Sequence, residues 1–358
     1  MATKRPKSRR TTLADVARAS GFSISTASIV LNEAPLSQHV AVQTKELIRS
    51  TAKRLGYRPD AFARSLRSRR SQIVGVMVFD ISDPFCTLIL KGIQQALQPT
   101  TYLPIIMDTQ NELKQFERYL EMLLERRIEG LIVVANWLFV DIKQLAEVER
   151  EQIPTVLVGQ EMHSGSMSSV MVDNEAGGYL ALKHLYELGH REIAIVRGPR
   201  QLHDSNERWA GMERFAREVK LKLRRELIVD LPHTSDPTAG FDEGYRVTGE
   251  LLRRGRRFSA IVAFDDMTAI GVVRALRQAG LRVPEDCSVV GFDDVPNASL
   301  LSPTLTTVRQ PMAEMGQMAV ERVLLGIEAF NAETKLPGLH CLTTPHLVVR
   351  ESTMKLPR

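Results

Sequence analysis

From Gln72 onward the sequence repeats one pattern, a short run rich in β-branched residues followed by a stretch with helical spacing. Ile73-Val74-Gly75-Val76-Met77-Val78-Phe79 is the first such run, and others lie at 103–107, 130–135, 155–158, 169–172, 193–196, 260–264 and 287–292. Continuous apolar runs of this length read as strands buried on both faces of a parallel sheet. Helical patterns fall between them at 87–97, 113–125, 177–188, 207–219 and 268–279, and a longer one runs from about Met312 to Leu325. Strand-helix alternation predicts doubly wound parallel α/β sheets. The runs are too many for one ordinary open sheet, so the body is expected to form two lobes. No exact internal repeat is visible.

The first 70 residues have a different texture. Leu13, Val16 and Ala17 recur at helical spacing behind Thr12, and Asp15 completes a capping-box arrangement. The pattern breaks at Gly21, where glycine can take the tight turn. A second short helix is expected from Ser23 to about Asn32. Two short helices joined by such a turn are a helix-turn-helix pattern, although a plain helical hairpin would satisfy it too. A third helix is predicted over about Val42–Leu55, with Leu47, Ile48 and Leu55 inward and Gly56 as its stop. On the second helix, Ile24, Ser25, Ser28 and Ile29 face away from Ala27, Val30 and Leu31. Isoleucines left outward there can pack against thymine methyl groups in a major groove.

Charge divides at the same place. Residues 1–70 hold 15 Lys/Arg and 4 Asp/Glu, a net of +11, while the remainder holds 32 and 38, a net of −6. A basic head on an acidic body points to a head that meets a polyanion. Residues 1–10 are expected to be a disordered basic tail. No apolar run reaches the roughly 18–20 residues of a membrane span, and no apolar segment follows the N-terminal basic cluster as a secretory signal requires. Cys86, Cys287 and Cys341 have no metal-ligand or disulfide spacing. A reducing cytoplasm is the expected setting. No phosphate loop, nucleophile elbow, zinc-protease or cysteine-cluster motif is present, so no cofactor, metal or catalytic residue is expected.

The head resembles the lactose-repressor (LacI) family of bacterial transcription regulators. Carrying the resemblance are Thr12-Leu13-Ala14-Asp15-Val16-Ala17, Gly21-Phe22-Ser23, Thr26-Ala27-Ser28, Val30-Leu31-Asn32, Leu55-Gly56-Tyr57 and the stretch from Pro59 to Leu66. It implies DNA contacts by Thr12, Leu13, Ile24, Ser25, Thr26, Ser28, Ile29, Asn32, His39 and Tyr57. It also implies a hinge helix in 59–71 that folds on DNA and pushes Leu66, flanked by Ala63 and Arg64, into the minor groove, kinking the duplex. The family usually has valine at the place of Ala27, Arg or His at Ile29, and serine at Ala41. Ile29 cannot make a bidentate contact to guanine, so a half-site with more A·T character is expected.

The body is similar to the same family's periplasmic-binding-protein-like domain. The matching phrases are Val172-Asp173-Asn174-Glu175-Ala176-Gly177-Gly178, Leu188-Gly189-His190, Glu207-Arg208-Trp209-Ala210-Gly211, Ala269-Ile270-Gly271, Gly291-Phe292-Asp293-Asp294 and Ser302 to Val308. The expected organisation is a helix-turn-helix domain over 11–58, the hinge and linker over 59–71, an effector-binding and dimerisation body over 72–352, and a tail over 353–358. Chain crossings between lobes are expected near 171, 303 and 331. That would make lobe 1 residues 72–171 and 304–331, and lobe 2 residues 172–303 and 332–352. Open α/β sheets bind ligands at the carboxyl ends of their strands. On that rule and the resemblance, Asp80, Ser82, Phe85, Cys86, Arg208, Asp265 and Asp293 are candidate effector contacts, with Phe241 an uncertain substitute for a family aromatic. Asp265 stands where the family usually has asparagine, which tilts the site toward donor-rich ligands. Asp173, Asp266 and Asp294 are expected as caps or loop anchors, His190 as structural, and Trp209 and Phe215 as core.

The expected function is sequence-specific, effector-modulated regulation of transcription, with a small molecule of sugar type, a pseudo-palindromic duplex operator and a homodimer. The competing reading is a two-lobed carbohydrate-binding or carbohydrate-processing protein without regulatory DNA binding.

Overall fold

A computed structural model describes residues 11–58, 70–134, 145–160, 167–232, 239–255 and 257–356. The chain divides into two compact units, residues 1–71 and 72–358. The expected basic tail and hinge helix, with Ala63, Arg64 and Leu66, lie outside the described residues.

Among its described residues the first unit holds three helices, α1 (Leu13–Ser20), α2 (Ile24–Leu31) and α3 (Val42–Arg54), and a 3-10 turn at Pro35–His39. Thr12 caps α1 and closes a reciprocal capping box with Asp15. Gly21 ends the helix at φ 75°, a left-handed conformation that glycine adopts without steric cost. Ser23 caps α2 by accepting the Thr26 amide at 3.0 Å. Val16, Ala17, Ala27, Val30, Ile48 and Ala52 form the core. Fully burying side chains such as Val16, Val30 and Ile48 contributes about 1.5–3 kcal/mol each. Leu47, expected inward, is instead 49% exposed. It precedes Ile48 by one position, about 100° around the helix, and only one of the two can face so narrow a core.

The second unit contains two six-stranded sheets. The first sheet uses β1 (Ile73–Val78), β2 (Leu103–Asp108), β3 (Gly130–Val134), β4 (Thr155–Val158), β5 (Ser168–Val172) and β11 (His340–Thr343). Its order is β11-β5-β4-β3-β1-β2, parallel throughout. The second uses β6 (Ile193–Arg197), β7 (Ile228–Asp230), β8 (Ala260–Val262), β9 (Ser288–Asp293), β10 (Thr306–Arg309) and β12 (His346–Val348). Its order is β12-β10-β9-β8-β6-β7, parallel except for the β10–β12 pair.

Strand pairing moves two of the expected crossings. β10 belongs to the second sheet, so the chain crosses after it, between Arg309 and Met312, not near 303. β11 belongs to the first sheet, so the last crossing falls between Thr343 and His346, not near 331. The physical reason is that both strands carry little apolar signal: β10 is Thr306-Thr307-Val308-Arg309, buried but mostly polar in composition, and β11 completes a sheet edge. Of β11, every residue is exposed or half-buried. The first crossing falls at Asp173, between β5 and the next helix.

The main helices are α4 (Pro84–Leu97), α5 (Leu113–Glu125), α6 (Leu145–Arg150), α7 (Asn174–Glu187), α8 (His203–Glu218), α9 (Gly240–Arg253), α10 (Asp266–Gln278) and α11 (Met312–Asn331). Three pairs of them pack backbone to backbone. A Cβ on Gly92 or Gly316 would collide with the facing carbonyl across α4 and α11. Gly178 and Gly211 play the same part between α7 and α8, and Gly244 and Gly271 between α9 and α10. The Gly178 contact is with the backbone of Arg208, so this close approach sets where Arg208 stands.

Candidate functional site

The outer surface of α2 begins with its N-cap. Ile24 is 54% exposed and Ser25 is also exposed, both on the first turn. Ile29 is half-buried one turn on. Thr26 is half-buried, its hydroxyl 2.8 Å from that of Ser23. Ser28 and Asn32 are joined: the Asn32 amide donates to the Ser28 carbonyl at 2.8 Å and lies 3.1 Å from its hydroxyl. Thr12 is exposed as a cap, His39 is exposed at the end of the 3-10 turn, and Leu13 and Tyr57 pack partly against the core. Leu36 and Val42 are also strongly exposed. They were not among the expected contacts: Leu36 sits in the short 3-10 turn and Val42 opens α3, where a lone apolar residue gives no periodic signal.

In the second unit, a pocket opens between the carboxyl ends of the two sheets. Asp83, Phe85, Leu202, Asp204, Arg208, Phe264, Asp265, Met267, Asp293, Val295 and Gln310 are among its lining residues. Its free volume is about 40 Å³, enough for only a few waters at roughly 10–15 Å³ apiece. Arg208 is 5% exposed. Its Nε donates to Asn174 Oδ1 at 2.8 Å and its Nη1 to the Phe264 carbonyl at 2.7 Å. The guanidinium lies 3.6 Å from the Phe292 ring centre and 4.7 Å from that of Phe264, a cation–π arrangement that holds its plane. Nη2 reaches Asp293 at 3.9 Å.

Asp265 caps α10, accepting the Thr268 amide at 2.7 Å. Asp293 ends β9 at φ 112° and accepts from Gln310 Nε2 at 2.6 Å. A non-glycine residue held there stores strain on the order of 1–3 kcal/mol, a common mark of ligand-binding positions. Burial pushes the carboxyls of Asp265 and Asp293 above the usual range and that of Asp204 to about 6, with Arg208 opposing all three.

Four expected effector contacts stand elsewhere. Cys86 is fully buried in the first lobe's core, and burial pushes its thiol up. It follows Phe85 by one residue on α4, so when Phe85 reaches the pocket Cys86 must turn inward. Asp80 and Ser82 are not on the pocket wall. Asp80 Oδ1 accepts the Ser82 amide at 2.8 Å and its hydroxyl at 2.5 Å, which locks the turn before α4. Phe241 lies with its ring 5.5 Å from the Arg274 guanidinium on α10 and does not line the pocket. On α9, a Cβ added at Gly240 would stand 3.4–3.5 Å from Thr268, Asp265 and Met267. Asp173 caps α7. Asp266 is not a cap: it accepts from Thr307 Oγ1 and the Val295 amide. Asp294 pairs with Arg309 and Arg350, and His190 bonds Ser259 and the Met354 carbonyl.

Asp204, Phe264, Val295 and Gln310 were not anticipated from sequence. Phe264, Val295 and Gln310 stand within two residues of the ends of β8, β9 and β10, so the carboxyl-end rule would have found them had it been applied to every strand. Asp204 was hidden because α8 starts at His203, four residues before the expected start at Glu207.

A helix-turn-helix unit joined to a two-lobed α/β body with a buried, arginine-anchored pocket defines a DNA-binding regulator that receives a small ligand. Residues 12–60 match the model of the bacterial regulatory proteins of the lacI family, and residues 182–353 match a periplasmic binding protein-like domain. The chain is 31% identical to the transcriptional repressor PurR of Proteus mirabilis over 342 residues, covering 95% of this chain and 96% of that protein. It is also 31% identical to the ribose operon repressor of Haemophilus influenzae, over 96% of this chain and 99% of the other. The lac repressor dimer bound to operator and the anti-inducer ONPF superposes with a TM-score of 0.81 at 26% identity, over 97% of this chain and all of that one. A CelR–cellobiose complex gives a TM-score of 0.69 at 28% identity, over 96% of this chain and all of the other. The chain therefore belongs to the lacI family of bacterial regulatory proteins. It is an effector-modulated DNA-binding transcription regulator and not an enzyme. Among the described residues no helix is long and apolar enough to cross a membrane.

Proposed function

We propose that the chain represses transcription as a homodimer on a pseudo-palindromic operator in the bacterial cytoplasm, and that a sugar or sugar derivative in the interlobe pocket sets its operator affinity. The observation that carries the DNA side is the pair Ile24 and Ser25, left exposed on the first turn of a capped helix that follows a glycine turn. The N-terminal residues of such a helix are the ones that reach base edges. Ile29, Ser28, Thr26 and Asn32 follow along the helix, while Thr12, Leu13, His39 and Tyr57 suit backbone contacts, which position without specifying. Leu66, with Ala63 and Arg64, is assigned the minor-groove wedge between the two half-sites.

On the ligand side, Arg208, Asp265 and Asp293 converge with Phe85 on one small pocket. Carboxylates, a guanidinium and an aromatic face suit hydroxyl groups, which both donate and accept. Relatives named for ribose and cellobiose support a sugar. A pocket of about 40 Å³ cannot admit a sugar unless the lobes move apart. Ligand entry is thus coupled to lobe pose, the kind of two-state element on which an effector acts.

Selection of bound duplexes from a random pool tests this reading. The expected outcome is a two-fold symmetric site with A·T-rich half-sites, whose preference weakens at one position per half-site in Ile24→Ala. Recovery of unrelated sequences only, with no symmetry, would sink it.

A further inference from the structure

The pocket carries more carboxyl groups than its one arginine can pair. Among the described residues Arg208 is the one cationic side chain on its wall, and two of its N–H groups are committed to Asn174 and Phe264. Asp83 is used in capping α4. Three carboxylates remain. Asp265 uses one oxygen on the Thr268 amide, and Asp293 uses one on Gln310. To Asp204, no other residue donates a hydrogen bond and no cation comes within 4 Å, among the described residues. A buried charge is costly unless it is paired, and a space of about 40 Å³ leaves little water to do the pairing. A neutral sugar could donate hydroxyl protons to these oxygens, but the charge would stay unbalanced. A cation removes the imbalance. The Phe85 ring on the same wall offers a surface on which both a sugar face and a cationic group can rest.

We propose that the effector is a polyhydroxylated amine, with its ammonium group held between Asp265 and Asp293, Asp204 adding its charge on the same wall, and its hydroxyls on Arg208 and Gln310. This rests on the pocket being the effector site. Arg208 then serves as the anchor that holds Asp293 in place, and the two further acids select charge. No group of three or more His, Cys, Asp or Glu among the described residues converges to hold a metal ion; the acids are spread along the wall, which suits a larger organic cation with several contacts.

The test uses the full chain at pH 7 with matched sets of D-glucosamine, D-galactosamine and D-mannosamine, each beside its neutral parent and its N-acetyl derivative. Acetylation removes the charge while keeping the nitrogen. Ligand-induced change in melting temperature and in operator affinity is read for every compound. At least one amine is expected to act at a concentration tenfold or more below both uncharged partners. Asp204→Asn and Asp265→Asn are each expected to reduce that preference at least tenfold. Asp265→Asn, which keeps a capping side chain, is also expected to melt higher than the parent chain without ligand, since it removes one uncompensated charge. A neutral sugar or N-acetyl derivative that matches its amine overturns the proposal and leaves the effector reading standing. No response to any amine, together with an Asp265→Asn chain that melts no higher, overturns it as well. If the untreated chain fails to bind any selected operator, the regulator reading falls and the proposal falls with it.

Discussion

Asp266 has no accessible surface, and its two oxygens tie three elements together. One accepts from Thr307 on β10 at 2.5 Å, the other from the Val295 amide after β9 at 2.9 Å, and the residue itself opens α10. Gly291 is required beside it, because a Cβ there would collide with the carboxylate. Burial, and secondarily the charge of Asp265, pushes the carboxyl up to about 8 against the pull of its two hydrogen bonds. Near neutral pH the folded chain therefore keeps a proton that the unfolded chain gives up. The stabilisation is complete below about pH 4 and is lost as pH rises toward 8. At about 1.36 kcal/mol per pKa unit the total is a few kcal/mol. Asp204, Asp265 and Asp293 are displaced in the same direction. The melting temperature should fall between pH 5 and pH 8.5, and Asp266→Asn should flatten that fall. A parent profile that is level or rising over the range would refute this account.

At the scale of elements, Arg208 owes its position to the contact of α7 with α8. Gly178→Ala must force the two helices apart, because the added methyl meets the Arg208 carbonyl. Overpacking of this kind costs about 1–3 kcal/mol. The expected result is a chain that melts several degrees lower and binds effector more weakly, while Gly249→Ala, on α9 with open space around it, does neither. Equal behaviour of the two variants would show that the close contact is not what positions the arginine. The same scale shows why some features were readable in advance and others were not. Runs such as Val74–Val78 are apolar because both faces of the strand are covered, so they announce themselves. The edge strands β11 and β12 are exposed or half-buried, and hide. Asp265 and Asp293 were legible as acids at strand ends, and Arg208 through the family resemblance of the phrase around it. Cys86 and Phe241 were misplaced because position along a helix fixes direction only once the helix start is known, and there an error of one residue turns a side chain by 100°.

Across the whole molecule, the charge division separates affinity from selectivity. The first 70 residues hold a net of +11, available mainly to phosphates, whereas the residues assigned to bases are mostly uncharged. Operator affinity should therefore fall about a thousandfold or more between 50 and 200 mM salt if six or more phosphates are neutralised. The ratio of operator to mutated-site affinity should change far less over the same range. Fluorescence anisotropy on both duplexes measures the two slopes. A ratio that collapses in parallel with affinity would move base selection onto the charged residues.

The placement of β11 and β12 also bears on the chain's synthesis. Each sheet receives one strand from the same short stretch, 340–348, and Ser352 then bonds the Thr306 amide and the Val289 carbonyl in the second sheet. Neither lobe can complete its sheet until the ribosome has released this stretch. The head, whose hydrophobic core cluster is drawn from residues 13–57, needs none of it. A nascent chain would thus hold a folded reading head well before it holds a sensor able to restrain it.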